Sequence, residues 1–379
     1  MKKHVNQPGQ PPPPRNAAAA QIDAVMDFGV FQLLPRGRAA TDREVVEQAL
    51  WEVDFAERHG FESVWVTEHH FSGYGSIGVP SVYAAGIAQR TRRIRIGYAV
   101  AVVPLHHPLR LAEEISWVDH LSEGRVAVGV GPGFSAFEFG GFGVPVNERH
   151  ARFAEGFDVL RRALAEPEIM FEGKRLAIHP RPYTRPHPPF YWASTSDESL
   201  RKAGAEGLPI LFGLEPVAEL AERLERYRAI RAAAGLPDDA IDREIGKMYV
   251  LRRLCVADTD AEALREVKEP LRWHREMSIR VHERGEAINT VPTHADDGSI
   301  IETMDGACFG SLATITRKLD ELRALGLRKV IGWFHFGNMP YGSVRRSMQI
   351  MASDVIPRYS GGRTRPVPAT TGTGSTSSR

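Results

Sequence analysis

The chain has 379 residues, 42% of them hydrophobic and 25% charged, with a formal net charge of +1. That composition is ordinary for a soluble globular protein and points to neither nucleic acid nor an anionic membrane as partner. Two cysteines, Cys255 and Cys308, make neither a disulfide framework nor a metal-knuckle spacing, which suits a reducing cytoplasm. No apolar run approaches the ~20 residues of a membrane span.

Residues 1–24 carry Lys2, Lys3 and a run from Gln7 to Pro14 that is mostly proline. They lack the apolar stretch of a secretory signal and are expected to form a disordered Pro/Ala-rich arm. Strand-like and helix-like segments then alternate. The first strand is expected over Val25–Gln32, and a helix over Asp42–His59, with Val45, Ala49, Val53 and Ala56 on helical spacing. The second strand holds Val64, Trp65 and Val66 and ends in Glu68, His69 and His70. A helix over about Val79–Gln89 follows. Ile94–Val103 is the third strand and Leu109–Leu121 its helix. Arg125–Val130 is the fourth, with a long helix over Glu148–Ala165 beyond it.

Pro189–Ala193 and Leu208–Phe212 read as strands five and six, each with a helix behind it. Met248–Ala257 is the seventh and Val330–Phe334 the eighth, before a closing helix at Val344–Val355. Between the last two strands lie a helix (about Ala261–His282), a segment Gly285–Gly310 without clear periodicity, and a helix over Leu312–Leu325. The aperiodic segment is expected to be a mobile loop at the mouth of the active site. Residues 360–379 read as a second disordered tail. Eight apolar strands, most followed by a helix, favour a single-domain (β/α)₈ TIM barrel over residues 25–359, with a long insertion after strand seven. A doubly wound open sheet is the alternative.

Chemistry in such a barrel sits where strands end. Glu68-His69-His70 is the first candidate. Alternation along a strand puts Glu68 and His70 on one side and His69 on the other. Adjacent histidines are a poor metal pair, and no His-Glu-x-x-His helix is present, so no metal is expected. Imidazole titrates near neutral pH, which makes a general base as plausible a role as a structural one. Gly129-Val-Gly-Pro-Gly133 fails as a dinucleotide fingerprint, because Phe134 stands where the third glycine belongs. It is either a tight turn or a place where a flat ligand approaches the backbone. Ser194, Thr195, Ser196 and Ser199 flank a helix start near Asp197; they are helix caps or a phosphate site. His106 and His107 read as turn histidines. Arg149, Arg152 and Glu155 lie on one helical face, where an arginine is either solvated or in reach of a phosphate.

Together and in order, these segments resemble the luciferase-like flavin monooxygenases. The resemblance runs from Met26 to about Tyr359. It rests on Met26-Asp-Phe-Gly-Val-Phe31, on Gly60 to Phe71, on Arg95-Ile-Gly-Tyr-Ala-Val100 with His107-Pro108, on Asp119-His-Leu-Ser-Glu-Gly-Arg125, on Ser196-Asp-Glu-Ser199 with Gly207-Leu-Pro209, and on Phe336-Gly337 with Val355-Ile-Pro357. It implies reduced FMN at the C-terminal face of the barrel, supplied by a separate reductase, and transfer of one oxygen atom of O2 to an organic substrate through a C4a-peroxyflavin. The flavin ring would lie over Ala99-Val100, joined by a cis peptide, and beside Gly131. The phosphate would sit at Ser194, Thr195, Ser196 and Ser199, with Arg149 as a further contact. His69 would handle the proton beside the flavin, and Glu68 would orient it. Bacterial luciferases carry a reactive cysteine where this chain has Gly131 and an arginine where it has Pro132. The resemblance further implies a homodimer. Two other functions stay open: an F420- or NAD(P)H-linked oxidoreductase on the same barrel, and a non-catalytic flavin-binding subunit.

Overall fold

In a computed structural model, the structure describes residues 25–37, 41–193, 196–285 and 306–361. The expected N-terminal arm, Ser194, Thr195, the middle of the aperiodic segment and nearly all of the C-terminal tail lie outside those residues. Eight parallel strands close into a ring: β1 (Asp27–Gln32), β2 (Ser63–Val66), β3 (Arg95–Val102), β4 (Val126–Gly131), β7 (Phe190–Ala193), β8 (Ile210–Phe212), β9 (Tyr249–Val256) and β11 (Lys329–Trp333). Pairing of β1 with β11, Asp27 opposite Lys329, closes it. This is a (β/α)₈ barrel, as the alternation of segments implied.

Each layer follows from side-chain pattern. Helix α1 (Asp42–Arg58) starts in a capping box: Thr41 Oγ1 accepts from the Glu44 amide at 3.2 Å, and the Thr41 amide donates to Glu44 Oε2 at 2.7 Å. Its stripe of Val45, Ala49, Val53 and Ala56 is buried against the barrel. Inside the ring, Trp65 of β2 is fully buried and meets Tyr191 and Tyr249 edge-on at 5.5 and 4.7 Å. Gly97 makes room for it, since a Cβ there would fall 2.2 Å from the indole. The barrel interior is therefore packed, and its chemistry belongs to the rim.

Three elements depart from the sequence reading. Strands β5 (Ile169–Phe171) and β6 (Lys174–Leu176) form a small antiparallel hairpin between α5 (Arg149–Ala165) and β7. A short helix, α4 (Ala136–Gly141), interrupts the loop after β4. The segment Gly285–Gly310 is not loop throughout: Ala307–Gly310 is a strand, β10, paired in parallel with Arg253–Val256 of β9. Four buried residues next to a polar stretch give too short a run to show a period.

The remaining helices are α2 (Pro80–Arg90), α3 (Pro108–Leu121), α6 (Asp197–Glu206), α7 (Val217–Ala233), α8 (Asp238–Ile245), α9 (Asp260–Ser278), α10 (Leu312–Ala324) and α11 (Tyr341–Ile350). A π-helical turn, Ile279–Glu283, prolongs α9. No helix among the described residues is long and apolar enough to cross a membrane.

Candidate active site

The C-terminal ends of β2, β3 and β4 come together around residues 68–70. Just past β2, the chain is pinned by the His69 amide, which donates to the Ile77 carbonyl at 3.1 Å. His69 and Glu68 then diverge. His69 Nδ1 lies 2.9 Å from Glu138 Oε1, on α4, and the same oxygen accepts the His70 amide at 3.0 Å. A carboxylate only accepts, so the bond assigns a proton to Nδ1; in the neutral form of the ring the free lone pair is then on Nε2. Burial pushes the Glu138 carboxyl up, but the hydrogen bond and charge of His69 outweigh it and hold it below the usual range.

Glu68 serves a different pair. Its Oε1 accepts from His106 Nε2 at 2.8 Å and His70 Nε2 at 3.1 Å, and its Oε2 accepts the Val102 amide at 2.8 Å. The side chain is almost wholly buried. Burial alone would raise its pKa, yet the bonds from His106 and His70 bring it down to about 2. On His106, burial opposes the charged form and Glu68 favours it; the net shift is upward. The expectation that Glu68 orients His69 is thereby corrected. Alternation sends the two neighbours to opposite sides, and the carboxylate that orients His69 is Glu138, 69 positions along the chain. His106, read from sequence as a turn residue, is the second imidazole on Glu68.

His69 faces an aromatic wall. Tyr74 lies 4.9 Å away edge-on, His282 5.7 Å and Phe134 6.2 Å, centroid to centroid. His282 belongs to the turn after α9 and meets Ser135 Oγ through Nδ1 at 2.8 Å. Burial and the neighbouring His69 push its pKa down to about 4. His274, two turns earlier on α9, meets Tyr74 at a tilt and Trp333 edge-on. Sequence reasoning missed Glu138, His274 and His282. The two histidines lie eight residues apart on the buried face of one helix, a spacing that could have linked them.

The peptide between Ala99 and Val100, at the end of β3, is cis, where the sequence analysis expected it. Both residues are half-buried, and the register between β3 and β4 shifts between Tyr98 and Ala101. Gly131 ends β4 beside them; a Cβ on it would lie 3.0 Å from Val100 Cγ2. The two strand ends thus meet in a shelf of small residues, Ala99, Val100 and Gly131, with the Val100 side chain packed against Gly131.

A second feature lies beyond β7. Ser196 caps α6, its Oγ accepting the Ser199 amide at 3.2 Å, while Ser199 Oγ accepts from Trp192 Nε1 at 2.8 Å. The start of α5 lies nearby: Lys202 first, and the charge of His150 among the rest, hold Glu198 below its usual range. Arg149, next to His150, is half-buried and donates to the Val146 carbonyl at 3.2 Å. Arg152 is tied to Glu148 at 2.7 Å. Helix dipole and basic residues favour an anion here. Among the described residues no group of three or more His, Cys, Asp or Glu is arranged to hold a metal ion.

The sequence profile of the luciferase-like monooxygenases matches residues 26–329. The chain belongs to that family. It is 29% identical over 354 residues to limonene 1,2-monooxygenase of Rhodococcus erythropolis, covering 89% of this chain and 87% of the relative. The monooxygenase RslO1 of Streptomyces bottropensis superposes with a TM-score of 0.76 at 25% identity, over 88% of this chain and all of its own. The oxygenating constituent of 3,6-diketocamphane monooxygenase from Pseudomonas putida, solved in complex with FMN, superposes at 0.67 with 20% identity, over 88% of this chain and 98% of its own. The family assignment makes the chain a monooxygenase-type oxidoreductase and gives the strand-end cluster its context.

Proposed function

We propose that this enzyme uses reduced FMN, delivered by a separate reductase, to place one atom of O2 on an organic substrate. The observations that carry this reading are the His69–Glu138 pair past the end of β2 and the cis peptide of Ala99-Val100 beside Gly131 at the ends of β3 and β4. The residues fit the cofactor at both of its ends. Ala99, Val100 and Gly131 would bed the ring, while Ser196 and Ser199, with Arg149 nearby, would hold the phosphate. Ser194 and Thr195 are part of the same proposal but lie outside the described residues. Bound reduced FMN supplies the electrons that activate dioxygen.

The chain's own groups do the rest. Glu138 fixes the His69 tautomer, so that Nε2 takes or returns a proton at the substrate. Glu68 holds His70 and the His106 turn in place and accepts the Val102 amide, which locks the end of β3 under the shelf. In this reading Glu68 is a positioning residue. Tyr74, Phe134 and His282 wall the His69 side, which limits water. The two cysteines are free and buried, in keeping with a cytoplasmic enzyme.

We also propose a homodimer formed through α2 and α3. Their outer face exposes Val79, Val82, Trp117 and Leu121 around a depression of about 390 Å³, a patch that a second copy would cover. Sedimentation of the purified protein tests it: a dimer that Trp117→Glu converts to monomer agrees, and a wild-type monomer contradicts it.

Reconstitution with FMN, a flavin reductase, NADH, ¹⁸O2 and a metabolite extract tests the function. Products heavier by one ¹⁸O atom are expected. FMN failing to bind while F420 binds would replace this reading with hydride transfer on the same barrel.

A further inference from the structure

Arg253 is the fifth residue of β9 and points a charge into an apolar surrounding. It is 6% exposed, and its guanidinium lies 4.9 Å over the Trp333 ring. Its Nε has no hydrogen-bond partner, and no carboxylate pairs with it among the described residues. Burial lowers its pKa to about 10, against the weak pull of Tyr74. Contact with an indole offsets only part of the cost of desolvating a guanidinium.

Two further nitrogens beside it share that condition. His274 Nδ1 and His282 Nε2 are buried without partners among the described residues. Ring contacts join all of them into one wall: His274 on Trp333 at 4.9 Å, Tyr74 on His274 at 5.2 Å and on His282 at 4.5 Å, with His69 beyond Tyr74. Buried polar groups in folded proteins almost always find partners. Three that do not, on one wall of a site, are placed for a ligand that brings acceptors. The guanidinium decides its charge, since a planar fork of donors matches an anionic oxygen.

We propose that the substrate carries a carboxylate or another anionic oxygen that docks on Arg253, with His274 and His282 as further donors. The inference rests on the reading of the His69 side as the oxygenation site: Arg253 then anchors the acid end and leaves another part of the molecule beside His69. Arg253 is a specificity residue in this account, not a proton donor.

Calorimetric titration of the full chain with benzoate, its neutral analogue benzamide, and inorganic phosphate tests the proposal. Benzoate is expected to bind at least about ten-fold more tightly than benzamide, the scale of one charge-assisted hydrogen bond. Arg253→Gln should abolish the preference and Arg253→Lys should keep part of it. Thermal melting supplies a readout that a structural arginine would not give: Arg253→Gln should melt higher than the parent, because it removes a buried charge that no described residue pairs. Equal binding of benzoate and benzamide, or a preference that survives Arg253→Gln, would overturn the proposal. So would displacement by FMN of benzoate or inorganic phosphate bound through Arg253, which would assign the guanidinium to the cofactor phosphate. Titration with FMN separates the two readings. A wild type that prefers benzoate but binds no FMN keeps the anion site and removes the monooxygenase reading.

Discussion

At the N-terminal end of the barrel, Arg95 and Lys329 each lie 3.3 Å from Glu62, and the Tyr249 hydroxyl donates to the same carboxylate at 2.9 Å. At the C-terminal end, Arg253 sits four residues beyond Tyr249 on the same strand, with no acid beside it among the described residues. Burial works against the charge of both arginines, yet Glu62 holds Arg95 above its ordinary value while Arg253 falls below. The lower cluster is complete within the chain and closes the barrel floor. The upper one is left incomplete, together with His274 and His282. Chains satisfy buried charge where structure is the only demand, and leave it open where a ligand completes it. The pairing of His69 with Glu138 belongs to the upper end as well, but there the open atom is Nε2.

The comparison is broken most severely by removing the proposed base, His69. His69→Ala should lower product formation about 10²–10⁴-fold, the range for losing a general acid–base group. FMN binding should stay near wild type, with oxygen consumption diverted to hydrogen peroxide; coupled peroxide and product assays measure both. Full turnover by the variant would remove His69 from the mechanism.

Acid should reach the upper end through Glu68. Its folded pKa of about 2 lies below its ordinary 4.5, so its contribution is present above about pH 4.5 and is lost as pH falls toward 2. The loss is on the order of 3 kcal/mol. His106 has the opposite sign: raised in the fold, it contributes below its unfolded pKa, near 6.5, and that contribution fades as pH rises through the folded value. Denaturation midpoints against pH should therefore fall on both sides of the window in which Glu68 is ionised and His106 protonated. Glu68→Gln should flatten the acid limb.

The floor gives a smaller effect. Glu62→Gln leaves Arg95 and Lys329 facing a neutral amide in a half-buried site, and a loss of about 2 kcal/mol in urea unfolding is expected. Smallest, and opposite in sign, is Arg253→Met, expected to add about 1 kcal/mol to the stability of the free protein. Destabilisation by both substitutions alike would erase the distinction between the two ends.

The barrel was legible because its strands are apolar runs buried on both faces, such as Val64-Trp65-Val66 and Ile94 to Val103. β10 was not, since Ala307–Gly310 is four residues long and follows a stretch with no period. In the site, His69 was visible as an imidazole at a strand end. Its partner was not: the family resemblance implied Glu68, while strand alternation already separated the two, and Glu138 lies on a helix of six residues. Arg253 was hidden by its neighbour. Two arginines in an apolar strand look alike in sequence, but Arg252 donates to the Gly213, Leu251 and Glu215 carbonyls and Arg253 to nothing described.

Equilibrium titration of the protein with FMN and with F420, oxidised and reduced, tests the central claim most directly. Selective binding of reduced FMN is expected, weakened several-fold by Ser199→Ala, which would remove one proposed phosphate hydrogen bond worth about 1 kcal/mol. Binding of F420 with no binding of FMN would contradict the account.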